Sequence, residues 1–122
     1  MTGVRLGAIS LDCADPLALG DFWAELLGGD VKYRSDNFVA VKLAELWITA
    51  VAVDGYRPPT WPGDDRPKQI HLDLAVDDLA AAEDRAVALG ATKATTQAAP
   101  DRWIVLLDPA GHPFCLTTQI PD

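Results

Sequence analysis

The sequence has few cysteines, few basic residues and no long apolar run, and each shortage excludes a class of protein. Its two cysteines, Cys13 and Cys115, lie far apart among 122 residues, so we interpret them as reduced thiols of a cytoplasmic protein rather than a disulfide framework. Ten basic against 18 acidic residues give a net charge of −8, which argues against nucleic acid or an anionic membrane as partner. No secretory signal or membrane span of roughly 20 apolar residues is predicted.

What the sequence does contain is an internal repeat. The segment ISLDCA, beginning at Ile9, matches IHLDLA, beginning at Ile70. An aspartate follows each segment (Asp15 and Asp77), and a glycine closes each half (Gly28 and Gly90). Each half therefore predicts a strand, a helix, a glycine stop and further strands.

The helix and strand signals give this repeat its boundaries. Asp15 with Pro16 predicts the start of the first helix, and Gly28 predicts its left-handed stop. Asp77 predicts the cap of the second helix, and Gly90 predicts its stop. The turn residues at 108–111 predict a hairpin. The proline-rich segment 56–68 predicts a linker between module one (1–55) and module two (69–122) of a single domain, 1–122. Strands are predicted at 9–14, 30–34, 37–43, 45–53, 70–76, 91–97, 102–108 and 114–119.

The predicted fold class is α+β, with two βαβββ modules forming a curved, cup-shaped mixed sheet and the helices on the outside. Asp12 and Asp73 are predicted to occupy equivalent places in the two halves. Together with Ser10 and His71 they share the strand face opposite the helices. A concave, partly polar face is where a ligand site is expected.

Four segments carry a resemblance to a known family. They are CADPLALGDFWAELLG (13–28), YRPPTWP (56–62), HLDLAVDDLAAA (71–82) and DPAGHPFCL (108–116). On these segments the chain resembles the glyoxalase/bleomycin resistance/dioxygenase superfamily, also called vicinal oxygen chelate proteins, and within it the glyoxalase-like branch. This resemblance implies a small ligand in the cup, a homodimer and, in many members, a divalent metal.

The metal site that the resemblance implies does not carry over well. Metal-dependent relatives use His or Gln on the first strand, Glu on the fourth, His on the fifth and Glu on the eighth. The corresponding positions here are Ala8 or Ser10, Thr49 or Ala50, His71, and Cys115. One usual ligand, His71, is left, so no metal cofactor is expected. The alternative to a metal-free protein is a rearranged ligand set of His71, Asp73 and Cys115. Asp73 is expected about 7 Å from His71 along the strand.

The first hypothesis is a protein that binds a small organic molecule, an antibiotic or a metabolite, without the usual metal. His71 and Asp73 are its candidate catalytic residues, and structural hydrogen bonding is the competing interpretation for both. Tyr56 and Trp61 are interpreted as anchors of the linker rather than stacking groups. The predicted ligand-binding residues are Ser10, Asp12, Trp47, Thr49, His71, Trp103 and Cys115.

Two other classes stay open at this point. One is a divalent-metal lyase, isomerase or dioxygenase with a rearranged ligand set that includes His71. The other is an interaction module whose cup is filled by its own side chains. The residues do not decide whether the chain is an enzyme, and glyoxalase activity itself is not expected.

Overall fold

Two successive βαβββ arrangements build the chain, as the repeat predicts. The computed structural model describes residues 3–61 and 63–121, so Pro62 of the predicted linker lies outside the described residues. Two compact units meet in the sequence between Arg57 and Pro58, and we call them unit 1 and unit 2. The elements are β1 (Ala8–Cys13), α1 (Pro16–Leu27), β2 (Asp30–Arg34), β3 (Phe38–Lys42), β4 (Trp47–Ala52), β5 (Leu72–Ala75), α2 (Leu79–Leu89), β6 (Thr92–Lys93), β7 (Trp103–Leu107) and β8 (Pro113–Thr117).

Unit 1 packs α1 against a four-stranded mixed sheet of order β1-β4-β3-β2, in which β1 and β4 are parallel. Leu19, Phe22 and Trp23 recur at helical spacing, and all three are buried. The helix approaches the sheet closely at Gly20, where an added Cβ would lie 2.8 Å from Cβ of Val39. Any larger residue at this position would therefore push the helix off the sheet.

Unit 2 repeats this topology, with order β5-β8-β7-β6 and a parallel β5–β8 pair. The predicted turn at 108–111 is confirmed, because the Asp108 carboxylate accepts hydrogen bonds from the backbone N–H groups of Ala110 and His112. Gly111 completes the turn with a φ of 88°, a conformation that favours glycine. The turn fixes the antiparallel register of β7 with β8.

Two predictions about unit 2 are wrong in detail. The N-cap of α2 is Asp78 and not Asp77, since the Asp78 side chain accepts the N–H of Ala81 at 3.1 Å. The strand predicted at 91–97 ends at Lys93. After Lys93, the Gln97 side chain pairs with β7 where a longer β6 backbone would have done so. It donates to the Val105 carbonyl and accepts the Val105 N–H, each at 2.9 Å.

The described residues of the proline-rich segment 56–68 form neither a helix nor a ladder strand, as predicted. Within it, Thr60 and Arg66 close a small loop, since the Thr60 N–H donates to the Arg66 carbonyl at 2.8 Å. Arg66 Nε in turn donates to the carbonyl of Pro58 at 2.9 Å. These bonds connect Arg66 to Thr60 and Pro58 within the segment.

The described residues include no helix that has both the length and the apolar character needed to cross a membrane.

Candidate functional site

The parallel pairing of β5 with β8 places Asp73 directly beside Cys115. His71 lies two residues earlier on the same face, because side chains alternate along a strand. Its Nε2 is 3.1 Å from Oδ1 of Asp73. Asp73 thus has the imidazole on one side and the thiol on the other, and the three ligating atoms all lie within 4.8 Å of one another. We call these three residues the polar cluster.

The polar cluster keeps Cys115 protonated. Burial raises the pKa of the Cys115 thiol to about 11, and Asp73 adds to this rise through its negative charge and by accepting a hydrogen bond from the S–H group. The Lys68 ammonium opposes the rise. Since the thiolate is the reactive form of cysteine, Cys115 is a poor nucleophile near neutral pH.

The polar cluster opens into a pocket of about 500 Å³ formed by residues of unit 2. Its walls are mostly apolar, which suits the apolar part of a small organic molecule. Trp103 supplies an aromatic wall on β7, and its partner on β8 is Thr117. The lining residues are Trp61, Lys68, His71, Asp73, Thr96, Ala98, Trp103, Val105, Pro113, Cys115, Thr117, Gln119 and Ile120.

Three of the predicted ligand-binding residues, His71, Trp103 and Cys115, line this one pocket together with the candidate catalytic Asp73. The β7–β8 register explains much of this arrangement. Counting outward from the turn at 108–111, the residues on one face pair as Val105 with Cys115 and as Trp103 with Thr117. Val105 and Thr117 are therefore lining residues that the predicted hairpin already implied.

The other predicted ligand residues lie in unit 1. Thr49 Oγ1 donates to Ser10 Oγ at 2.6 Å. Asp12 is an exposed residue of β1. Trp47 is half-buried, and the Lys42 ammonium lies 5.7 Å from the centre of its ring. In unit 1 the structure thus joins Ser10 to Thr49.

The structure also corrects the alignment of the two halves. Measured back from the observed helix caps Asp15 and Asp78, the counterpart of Asp73 is Ser10 and not Asp12. The strand pairs agree, since Ser10 lies opposite Thr49 as Asp73 lies opposite Cys115. A hydroxyl pair in unit 1 therefore corresponds to a carboxylate–thiol pair in unit 2.

Several lining residues were not identified from the sequence. Trp61 was interpreted as an anchor, yet it lines the pocket with the Lys68 ammonium 4.0 Å from the centre of its ring. Thr96 and Ala98 flank Gln97, whose bonds to Val105 hold that segment beside β7. No sequence pattern indicates that a glutamine side chain will pair with a strand in place of a backbone. Thr96 and Ala98 were therefore not predicted to line the pocket.

Comparisons with known proteins give one family. The family model described as "Glyoxalase-like domain" matches residues 8–117. Among curated proteins no significant match is found. A glyoxalase-related enzyme from Fulvimarina pelagi is a similar solved structure, with TM-score 0.68 and 20% identity over 93% of this chain and 86% of that one.

Two further structures share the fold. A glyoxalase/bleomycin resistance protein/dioxygenase family enzyme from Burkholderia phytofirmans has TM-score 0.68 and 19% identity over 93% of this chain and 97% of that one. The fosfomycin resistance protein FosX from Listeria monocytogenes, complexed with Mn(II) and 1S,2S-dihydroxypropylphosphonic acid, has TM-score 0.71 and 20% identity over 98% of this chain and 94% of that one.

At these identities the solved structures establish the fold alone, and it is the fold that the repeat predicts. The family model covers nearly the whole sequence, from β1 to the end of β8. The chain therefore belongs to the glyoxalase-like domain family.

Proposed function

We propose that this protein binds a small organic molecule, a metabolite or an antibiotic, in the pocket of unit 2. The observation that supports this most directly is the cavity of about 500 Å³, with mostly apolar walls and the polar cluster on one side. Pockets for small molecules typically measure roughly 300–1,000 Å³ and combine apolar walls with a few polar groups. The antibiotic resistance protein among the similar structures makes an antibiotic a natural class to test.

In this proposal His71 and Asp73 act as a pair. The tautomer with its proton on Nε2 donates to the Asp73 carboxylate, which fixes the orientation of the ring. Within residues 3–61 and 63–121, no hydrogen-bond partner is found for Nδ1 of His71. That nitrogen is then an acceptor for a ligand proton, which is the role of a general base if the bound molecule is turned over.

A thermal-shift screen of aromatic and polar small molecules tests the binding proposal. A ligand at a hundred times its Kd stabilises the folded state by about 2.7 kcal/mol, so the Tm should rise by several degrees. Trp103→Leu removes the aromatic wall and should weaken binding about fivefold, since an aromatic pair contributes about 1 kcal/mol beyond its area. The matched control is Tyr33→Leu, which removes an exposed aromatic residue on β2.

The binding proposal is wrong if no compound in the screen shifts the Tm, because the pocket would then have no affinity for molecules of its own size. It is also wrong if Trp103→Leu and Tyr33→Leu weaken binding equally, because the ligand would then not lie against Trp103.

One observation favours a second candidate, a divalent-metal lyase, isomerase or dioxygenase. His71, Asp73 and Cys115 offer one nitrogen, one oxygen and one sulfur atom within 4.8 Å of one another. A tetrahedral cation separates its ligand atoms by roughly 3–4 Å, so a small inward movement would complete the site. A bound cation would act as a Lewis acid at an open position facing the pocket. The sulfur suits a borderline-soft cation such as Zn²⁺ better than Mn²⁺ or Mg²⁺.

Elemental analysis of protein purified without chelator separates the two candidates. The binding proposal expects less than a tenth of a metal equivalent per chain. The metal candidate expects about one equivalent, lost in His71→Ala and kept in His112→Ala, which replaces the other histidine. A stoichiometric metal that depends on His71 would replace the first proposal by the second.

A further inference from the structure

We propose that the ligand of this pocket carries an anionic oxygen group, such as a carboxylate, which is bound by the Lys68 ammonium and the Trp61 indole N–H. This inference rests on the proposed small-molecule function and adds the chemical class of the ligand. It depends on two donors that belong to pocket-lining residues and for which the described residues provide no acceptor.

The first donor is Lys68. Its ammonium lies 4.0 Å from the centre of the Trp61 ring, and the part of the chain that the structure describes gives it neither a hydrogen bond nor an ion pair. An unpaired lysine is notable in a chain with 18 acidic and ten basic residues. A half-buried cation on a mostly apolar pocket is positioned to attract an anion.

The second donor is the indole N–H of Trp61. Its Nε1 atom is buried, and no hydrogen-bond partner for it exists among the described residues. The indole nitrogen is only a donor, so the missing partner must be an acceptor. Buried donors are nearly always paired in folded proteins, since an unpaired one loses its hydration without compensation. A ligand oxygen beside Trp61 would supply this bond.

The charged groups that line the pocket define the direction of the ligand. Asp73 repels an anion, and its carboxylate is already paired with His71 and Cys115. The acidic end of the ligand is therefore expected at Lys68 and Trp61, with its apolar body against Trp103. An amine would prefer the reverse orientation at Asp73, so the charge of the ligand distinguishes the two arrangements.

A matched set of three probes tests the inference: phenylacetate, phenylacetamide and phenethylamine. They share an aromatic body and differ in the charge of one group. Titration calorimetry on the full chain should show phenylacetate binding about tenfold more tightly than phenylacetamide, the difference expected for a charge-assisted hydrogen bond. Phenethylamine should bind most weakly of the three.

Two variants assign this preference to residues. Lys68→Gln should abolish the difference between phenylacetate and phenylacetamide. The matched control, Lys42→Gln, removes the lysine that lies over Trp47 in unit 1 and should leave the tenfold difference intact. Trp61→Phe keeps a ring and removes the N–H donor, so it should weaken phenylacetate binding severalfold. Circular dichroism melting of each variant verifies that it folds.

The outcomes separate this inference from the function on which it rests. If phenylacetamide binds as tightly as phenylacetate, or phenethylamine binds best, the pocket binds small molecules and the anion preference is wrong. If Lys42→Gln removes the preference as fully as Lys68→Gln does, Lys68 is not the recognising group and the inference is again wrong. If none of the probes binds and the wider screen is also negative, both proposals are overturned.

Discussion

At the scale of single residues, the polar cluster departs from a reactive cysteine site. A nucleophilic cysteine needs a base or a positive charge that lowers its pKa. Here the direct neighbour of Cys115 is a carboxylate, which together with burial raises the thiol pKa to about 11. Asp73 also pairs with the histidine, so the acidic group stands between the imidazole and the thiol. Because the carboxylate of Asp73, and not the imidazole, is the direct neighbour of the thiol, we assign proton transfer to His71 and no nucleophilic role to Cys115.

The protonated thiol gives a pH prediction. In the folded protein, Cys115 should react slowly with iodoacetamide at pH 8, and its rate should keep rising up to a pH of about 11. Because the folded pKa lies above the ordinary value of 9.0, the stabilisation that this neutral thiol contributes is present below pH 9. It is lost as the pH rises through about 11. Mass spectrometry of the alkylated peptide follows Cys115 separately from Cys13, which is buried.

Asp73→Asn tests the cause of this behaviour. Removing the negative charge should lower the thiol pKa and raise the alkylation rate at pH 8 about threefold, the factor that half a pKa unit gives. Asp84→Asn, an exposed acidic residue of α2, is the control and should not change the rate. Equal rates in the wild type and Asp73→Asn would mean that burial alone protects the thiol.

At the scale of elements, the sequence predicts the number and order of strands and helices well. Alternating apolar residues and a capping aspartate with proline are local signals, and they locate β1 and α1 within a residue or two. The second helix shows the limit of such signals. Asp77 and Asp78 are both capping residues, and only the backbone shows that Asp78 accepts the Ala81 N–H.

The alignment of the two halves shows a similar limit, with a larger consequence for the site. Matching ISLDCA with IHLDLA makes Asp12 the counterpart of Asp73, whereas the strand pairs make Ser10 its counterpart. Residues two apart lie on the same strand face, so the pattern of apolar residues cannot detect the error. The observed helix caps and the registers of the β1–β4 and β5–β8 pairs distinguish the two alignments.

The residues of the candidate site fall into two groups, those that the sequence predicted and those that it did not. His71 and Asp73 were predicted from the alternation of residues 70–76. Cys115 was predicted from the eighth-strand position that the resemblance implies, and Trp103 as an aromatic residue at the start of a predicted strand. Trp61 and Lys68 lie outside the strands, in the segment where Thr60 and Arg66 close a loop. Their position in the pocket depends on contacts between parts of the chain that no local pattern records.

At the scale of the whole molecule, the chain contains two units of the same topology and different chemistry. The hydroxyl pair of Ser10 and Thr49 in unit 1 corresponds to Asp73 and Cys115 in unit 2. The described pocket is lined by unit 2 residues, which include the unpaired Lys68. The homodimer and the cytoplasmic location inferred from the sequence stay predictions.

Hydrogen exchange over the whole chain tests this difference between the units. With phenylacetate or another bound probe at saturation, backbone amides of β5, β8 and segment 94–98 should exchange several times more slowly, since these elements carry pocket residues. Amides of α1, which packs on the sheet of unit 1, should exchange at an unchanged rate and serve as the internal control. Slower exchange in β1 and β4 as well would support the predicted part of Ser10 and Thr49 in ligand binding. Equal protection of α1 and β8 would contradict a ligand site in unit 2, because the probe would then be stabilising the whole fold rather than one pocket.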